Sequence, residues 1–389
     1  MTARAMVEGP SGRGDLAFVL AGGGARAAYQ VGVLAGIAEL FPELEIQVVT
    51  GVSAGAVNAA HLVSHIGSFR SATEELVELW RSLTVDRVFE ADTRSLARSA
   101  LRWGAQLFSG GTGATPIGQS LVDTAPLRRY LSATLGAAPD RPIPGIAENL
   151  RSGRLKAAAI ITTSYSTGET VVWVQGRDVQ GWTRSRRRGV KTELSVEHIM
   201  ASAALPLFFP SVRIGDAWYG DGGIRLAAPL SPALHLGASR ILAISTRFEP
   251  AAVEASRPGI QIEGYPPPAQ VLGVLLNSIF LDLIDQDALR LERVNRLLGS
   301  LPEERREGMR VVDLLVLRPS FDLGRLAGEF EPRLPRAFRF MTRGLGTRET
   351  ASPDLLAMLM FQPDYLEELI EIGRTDLLAR REEISAFLS

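Results

Sequence analysis

The sequence predicts an α/β protein built on a mainly parallel sheet. Two observations carry that expectation. Near the start of the chain an apolar strand pattern twice runs through a glycine-rich turn into a helical pattern, the alternation that builds parallel sheets. The composition is that of a globular chain with a large core: 389 residues, 46% hydrophobic and 22% charged.

Leu16–Ala21 is an uninterrupted apolar run of strand length and reads as a buried strand. Gly22, Gly23 and Gly24 make a tight turn, and apolar residues at helical spacing follow from about Arg26 to Leu40. Ile46–Thr50 predicts a second strand, and Gly51–Gly55 turns it into a helix from Ala54 to about Ile66. Thr73–Ser82 continues helically. From about Thr84 to Ser120 the pattern weakens around Gly110-Gly111-Thr112-Gly113, so a loop-rich insertion acting as a lid is expected there. Pro126 suits the first turn of a short helix reaching Leu135.

Leu155–Thr163 and Thr170–Gln175 read as strands joined by the Ser166-Thr167-Gly168 turn. A helix follows at Val196–Ala204, stopped by Pro206. Arg213–Tyr219 reads as a hairpin around Gly215-Asp216, Asp221-Gly222-Gly223 as a turn and Arg240–Thr246 as a strand. Tyr265-Pro266-Pro267-Pro268 marks a boundary. Beyond it come a long amphipathic helix over Val271–Leu298, a strand at Val311–Leu317 added to the sheet edge, and helices from about Pro335 to Ser389.

Composition excludes several classes. The 42 basic and 43 acidic residues leave a net charge of −1, so nucleic acid is not expected as a partner. Cysteine is absent, which removes disulfides, cysteine–zinc sites and a thiol nucleophile. Met1–Asp15 lacks the apolar stretch of a signal peptide, and Val271–Ile284 is broken by Asn277 and Asp282. It falls short of the roughly 20 residues a membrane helix needs. The expectation is a soluble, cytoplasmic protein whose membrane contact, if any, is peripheral and transient.

Chemistry concentrates in the two glycine turns. Gly51-Val52-Ser53-Ala54-Gly55 is G-x-S-x-G, the nucleophile elbow, which exposes a serine hydroxyl on a sharp strand-to-helix turn. Gly51 and Gly55 allow strand and helix to approach closely. Gly22-Gly23-Gly24-Ala25-Arg26 can offer backbone N–H groups to an oxyanion. Its rival reading is the dinucleotide fingerprint, Gly22-x-Gly24-x-x-Ala27. That fingerprint wants an acid ending the next strand, where Thr50-Gly51 and then Ser53 stand instead. A phosphate loop is weaker still, because no Gly-Lys-Ser/Thr follows.

The nucleophile needs a base. The four histidines, His61, His65, His198 and His235, sit in helical or turn patterns that do not present them, and each reads as a satisfied or exposed side chain. That leaves the carboxylates. Asp221, among Gly220, Gly222 and Gly223, either brings a carboxyl close to another backbone or makes an ordinary Asp-Gly turn.

These blocks, with Ala201-Ser202-Ala203-Ala204-Leu205-Pro206-Leu207-Phe208-Phe209-Pro210 before Asp221, stand in an order that resembles the patatin-like phospholipase family over about Leu16–Thr246. The resemblance implies a three-layer α/β/α sandwich and a histidine-free Ser53–Asp221 dyad. It implies that Gly22, Gly23, Gly24 and Ala25 stabilise the oxyanion, with Arg26 anchoring that loop or adding positive charge. Ala27 stands where the family usually has glycine. The implied activity is acyl-ester hydrolysis on phospholipids or related lipids, with no metal and no organic cofactor. The implied organisation is a flexible N-terminus (1–15), a catalytic domain (16–248) and a mostly helical C-terminal region (249–389) packed on it. Alternatives are acyl transfer by the same nucleophile and a non-catalytic nucleotide-binding or regulatory protein.

A lipid substrate needs an apolar groove. Candidates are Leu205, Leu207, Phe208 and Phe209, the stretch Trp103–Phe108, and Val271–Ile284, each of which also reads as plain core. Arg184-Ser185-Arg186-Arg187-Arg188 reads as a solvated loop or as an attractor of anionic head groups.

Overall fold

Leu16–Leu20 forms β1, with every residue buried, inside a ten-stranded sheet. A computed structural model describes residues 14–90, 120–249, 271, 275, 283–334 and 354–389. The other strands are β2 (Val48–Val52), β3 (Ala157–Ser164), β4 (Thr170–Gly176), β5 (Trp182–Arg184), β6 (Arg187–Lys191), β7 (Val212–Ile214), β8 (Ala217–Asp221), β9 (Arg240–Ile244) and β10 (Asp313–Leu317). Their order is β10-β9-β1-β2-β3-β4-β6-β5, with β8 on β3 and β7 on β8. Neighbours from β10 through β3 run parallel, whereas β4 and β8 both pair β3 antiparallel.

Strand side chains alternate, and here both faces are covered. Leu16, Phe18 and Leu20 enter one apolar cluster, and Ala17 and Val19 enter the other. A strand buried on both faces reads as a continuous apolar run, the pattern that Leu16–Leu20 shows. Six helices on the first face matter for the site: α1 (Ala28–Leu40), α2 (Ala54–Ser64), α3 (Phe69–Arg81), α4 (Val196–Ser202), α5 (Asp354–Leu359) and α6 (Pro363–Ala379). On the second face Ala233 of the helical segment Ser231–His235, Leu236 just after it, and Leu291 of Leu283–Gly299 share one apolar cluster with Ala17 and Val19. The result is the three-layer α/β/α arrangement with a mainly parallel sheet, and β10 and α6 knit the C-terminal part into it. α6 lies so close on α1 that a Cβ on Gly32 would meet the Ile370 carbonyl oxygen at 1.9 Å.

Several boundaries differ from expectation. β2 runs to Val52 rather than ending at Thr50, because Gly51 is held between Leu20 and Ile160 by sheet pairing. α3 begins at Phe69, earlier than expected, with the Ser68 hydroxyl accepting the Ser71 N–H at 3.2 Å. A 3-10 turn over Gly24–Ala27 precedes α1. The basic run is no loop: Arg184 ends β5, Arg187 begins β6, and Arg186 sits between them at φ 58°. Helices at Pro144–Ser152 and Leu323–Phe330 were not foreseen. Most of the expected lid over 84–120, the stretch 103–108, the 265–268 boundary, the segment 335–353 and nearly all of the N-terminus lie outside the described residues. Among the described residues no helix is long and apolar enough to cross a membrane.

Candidate active site

β2 leaves the edge of β3 at Val52, opposite Ile161. The next residue, Ser53, turns sharply at φ 56° and ψ −132°, and α2 starts at Ala54. A non-glycine residue in that region costs on the order of 1–3 kcal/mol and persists only where its surroundings hold it. Those surroundings leave no room at the two flanking glycines. A Cβ on Gly51 would lie 2.5 Å from the Gly55 carbonyl oxygen, and one on Gly55 would lie 2.4 Å from the carbonyl oxygens of Leu20 and Ala21. Ser202, on α4, completes the turn: its hydroxyl accepts the Ser53 N–H at 2.9 Å and donates to the Ile161 carbonyl at 2.6 Å. Ser53 is 5% exposed.

Asp221 reaches the same place by sheet topology. β4 occupies one edge of β3, and β2 occupies the other only as far as Ile161. β8 then takes over that second edge at Thr162, which pairs with Asp221. Ser53 and Asp221 therefore follow one another along one strand edge. Asp221 is fully buried. Its Oδ1 accepts the Gly223 N–H at 2.9 Å, at the start of a 3-10 turn over Gly222–Arg225. Thr163 donates its hydroxyl to the Asp221 carbonyl at 2.9 Å. Burial pushes the carboxyl up to about 7, against the opposing pull of hydrogen bonds from the Ser53 side chain and the Gly223 N–H. Oδ2 is buried with no partner of full hydrogen-bond geometry.

The first glycine turn packs directly on Ser53. A Cβ on Gly22 would sit 3.0 Å from that of Ser53, so only a bare backbone fits. The Gly22 carbonyl accepts the Thr246 hydroxyl at 2.7 Å. Gly23 and Gly24 have φ of 155° and 58°, open to glycine. Ala25 is fully buried. Arg26 is also buried, and its guanidinium forms an ion pair with Asp354 and donates to the Asp354 carbonyl at 3.0 Å. Its charge is thus engaged by the C-terminal segment. That segment also brings the Met358 carbonyl against Gly24.

Beside Ser53 lies a narrow, mostly apolar cavity with about 60 Å³ of free space, walled by Val57, Leu205, Phe209, Met358 and Phe361 among others. Of the groove candidates, Leu205 and Phe209 line it, Phe208 is core, and Leu207 is exposed. Val271 and Leu275 are also exposed, and Ile284 is buried. A roomier polar cleft of about 360 Å³ around His65, Ser68 and Arg154 shares no residue with the Ser53 cavity.

The histidines are engaged elsewhere. His61 Nε2 lies 3.0 Å from the Ala72 carbonyl, and His65 Nδ1 lies 3.1 Å from Glu75. His198 Nδ1 lies 2.9 Å from the Ser195 hydroxyl, and His235 stacks on Trp182 at 5.1 Å. His61, His65 and Glu75 place ligand-capable atoms within 4.8 Å of one another.

Sequence reasoning missed four contributors. Asp354 gave no signal at all, lying 328 residues from Arg26. Ser202 stood inside the Ala201–Pro210 block without a role. Gln30 and Asn58 form a buried relay below the site: Trp80 donates to Asn58, Asn58 to Gln30, and Gln30 to the Ala21 and Ile244 carbonyls. Polar residues on the inner faces of two otherwise apolar helices were the available clue.

No curated protein sequence matches the chain. Solved structures similar to it include VipD from Legionella pneumophila, at 12% identity over 97% of this chain and 68% of that one, with a TM-score of 0.40. The human GIVD cytosolic phospholipase A2 in complex with methyl gamma-linolenyl fluorophosphonate matches at 13% identity and a TM-score of 0.47. That match covers 96% of this chain, which spans 59% of the human protein. Full-length ExoU from Pseudomonas aeruginosa, in complex with SpcU, matches at 15% identity over 96% of this chain and 78% of that one, with a TM-score of 0.27. The model of the patatin-like phospholipase family matches residues 18–234, over half of the chain, and the chain belongs to that family of lipid ester hydrolases.

Proposed function

We propose that this chain is a serine acyl hydrolase of phospholipids or related lipid esters, working through Ser53 and Asp221. The observation that supports it most is their shared edge of β3. It sets a strained serine next to a buried carboxyl and the bare backbone of Gly22. In this reading the Ser53 hydroxyl oxygen attacks the ester carbonyl carbon while Asp221 accepts its proton. Backbone N–H groups of the Gly22–Ala25 turn stabilise the oxyanion, helped by the N-terminus of α2. Asp221 returns the proton to the leaving alcohol. Water then gives a proton to the same carboxyl as its oxygen attacks the acyl carbon, the bond to the Ser53 oxygen breaks with return of that proton to it, and the fatty acid is released.

Two features suit Asp221 to the base role. Burial lifts its pKa toward the working pH, and among the described residues no cation is paired with it. The cavity wall suits an acyl chain, which must part Leu205, Phe209 and Phe361 to enter so small a space. Part of that wall comes from α5, so the working unit extends beyond residues 16–248 to the C-terminal region.

The test is hydrolysis of a short-chain nitrophenyl ester and a fluorogenic phospholipid by the wild type, Ser53→Ala and Asp221→Asn, with folding checked by circular dichroism. Turnover by the wild type alone supports the dyad. Equal inactivity of all three folded proteins removes it.

A further inference from the structure

The rim beside Asp221 carries aromatic and basic side chains that the proposed chemistry does not use. Trp218 stands three residues before Asp221 on β8 and is 46% exposed. Tyr165 faces it across the strands, donating its N–H to the Trp218 carbonyl at 2.9 Å, and is 48% exposed. The Tyr165 ring lies over Gly220, where a Cβ would meet its hydroxyl at 2.2 Å. Arg213 pairs with Trp218 across the β7–β8 hairpin, is also exposed, and forms an ion pair with Asp216 of the hairpin turn at 3.7 Å. Next to this, the turn of the β5–β6 hairpin is tied to the start of β4 through the Thr170 N–H and the Arg186 carbonyl at 3.1 Å. That turn holds Arg184 and Arg186, both exposed, and neither has a carboxylate partner among the described residues. Leu207 adds an exposed apolar side chain at φ 71°, between the cavity residues Leu205 and Phe209.

These groups share the end of the sheet at which Ser53 and Asp221 sit. Asp216 balances Arg213, so among the described residues the rim's positive charge without a carboxylate partner is that of Arg184 and Arg186. We infer that this rim docks on the surface of an anionic bilayer. Tyr and Trp, each with an apolar body and a polar tip, suit the head-group level of a membrane. Arginines beside them attract anionic lipid head groups. Docked this way, the Ser53 cavity lies next to its substrate. The inference deepens the hydrolase reading and rests on it for the purpose of docking, but not for the contact itself.

The test separates the two. Full-length Ser53→Ala protein is sedimented with vesicles of pure phosphatidylcholine and of equimolar phosphatidylcholine and phosphatidylglycerol. It is expected to bind the anionic vesicles selectively and to lose that binding with added salt. Arg184→Gln with Arg186→Gln should lower the partition on the order of thirtyfold. Trp218→Ala alone should lower it by about tenfold. Both sets of changes, made with Ser53 intact, should leave hydrolysis of a soluble nitrophenyl ester within about twofold of wild type. Equal binding to both vesicles, unchanged binding by the variants, or preferential binding to a single-stranded oligonucleotide overturns the docking surface. Loss of ester hydrolysis in the wild type overturns the hydrolase reading and leaves the vesicle result standing.

Discussion

Ser53 and Ser195 are both buried, and both stand at the N-cap of a helix. Ser195 has the partner that serine hydrolases are known for, with its hydroxyl 2.9 Å from His198 Nδ1. Ser53 has none, only a carboxyl. Yet Ser195 sits in ordinary extended backbone at φ −128°, and its hydroxyl and N–H together close the start of α4 onto the His198 ring. That ring packs edge-on against Trp173 at 4.8 Å. Burial drives the imidazole down to about 4, so it stays neutral and fixed. Ser53 sits in strained backbone, against a bare glycine turn and at the wall of a cavity. In the proposed reading reactivity follows from backbone strain, access and oxyanion donors, and a hydrogen-bonded Ser–His pair does not by itself mark a nucleophile.

The comparison breaks most visibly in activity. Ser53→Ala is expected to lower ester hydrolysis by about 10⁴-fold or more, and Ser195→Ala by less than about twofold. A comparable loss in both, measured on the nitrophenyl ester with folded protein, would end the distinction. Next in size is the pH profile. Asp221 accepts a proton only when ionised, so kcat/KM should rise through a pH of about 7 in the wild type and stay low and flat in Asp221→Asn.

Stability sharpens the contrast further. Asp221 has a folded pKa raised from 3.8 to about 7, so the native state holds its proton more tightly. Its contribution is full at low pH and is lost as pH rises through 7. His198 is lowered from 6.5 to about 4, and its contribution is full above 6.5 and lost as pH falls toward 4. Melting temperatures between pH 4 and pH 8 should show Asp221→Asn removing the first slope and His198→Gln the second. A profile unchanged by either variant removes burial as the cause.

Smaller effects probe the supports. Gly55→Ala forces a Cβ into two carbonyl oxygens and should cost about 2–4 kcal/mol by urea denaturation. Asp354→Asn unpairs Arg26 and loosens the glycine turn, lowering kcat about tenfold with little change in KM. An equal change in KM would assign Asp354 to substrate binding instead. Smallest is Ser195→Ala, about 1 kcal/mol of stability from a lost cap.

The elements most legible beforehand were those buried on both faces or punctuated by glycine. Leu16–Leu20 is apolar throughout because helices cover both sides of it. The Gly51–Gly55 elbow is legible because only glycine tolerates the contacts made at both ends. Less legible were β5 and β6, short polar edge strands whose arginines look the same in a loop and in a hairpin. The histidines were readable as bystanders from their helical settings alone.

The sequence by itself determined the chemistry on offer: a G-x-S-x-G serine, a glycine turn, an aspartate among glycines, and no cysteine. These are local, since each follows from what a few neighbouring residues allow the backbone to do. Tertiary structure alone decided which of these groups meet. β2 stops at Ile161 and β8 begins at Thr162, and that handover on one strand edge brings Ser53 to Asp221 across 168 positions. It also decided that Arg26 is spent on Asp354, because an ion pair depends on distance in space, which the order of residues along the chain does not contain.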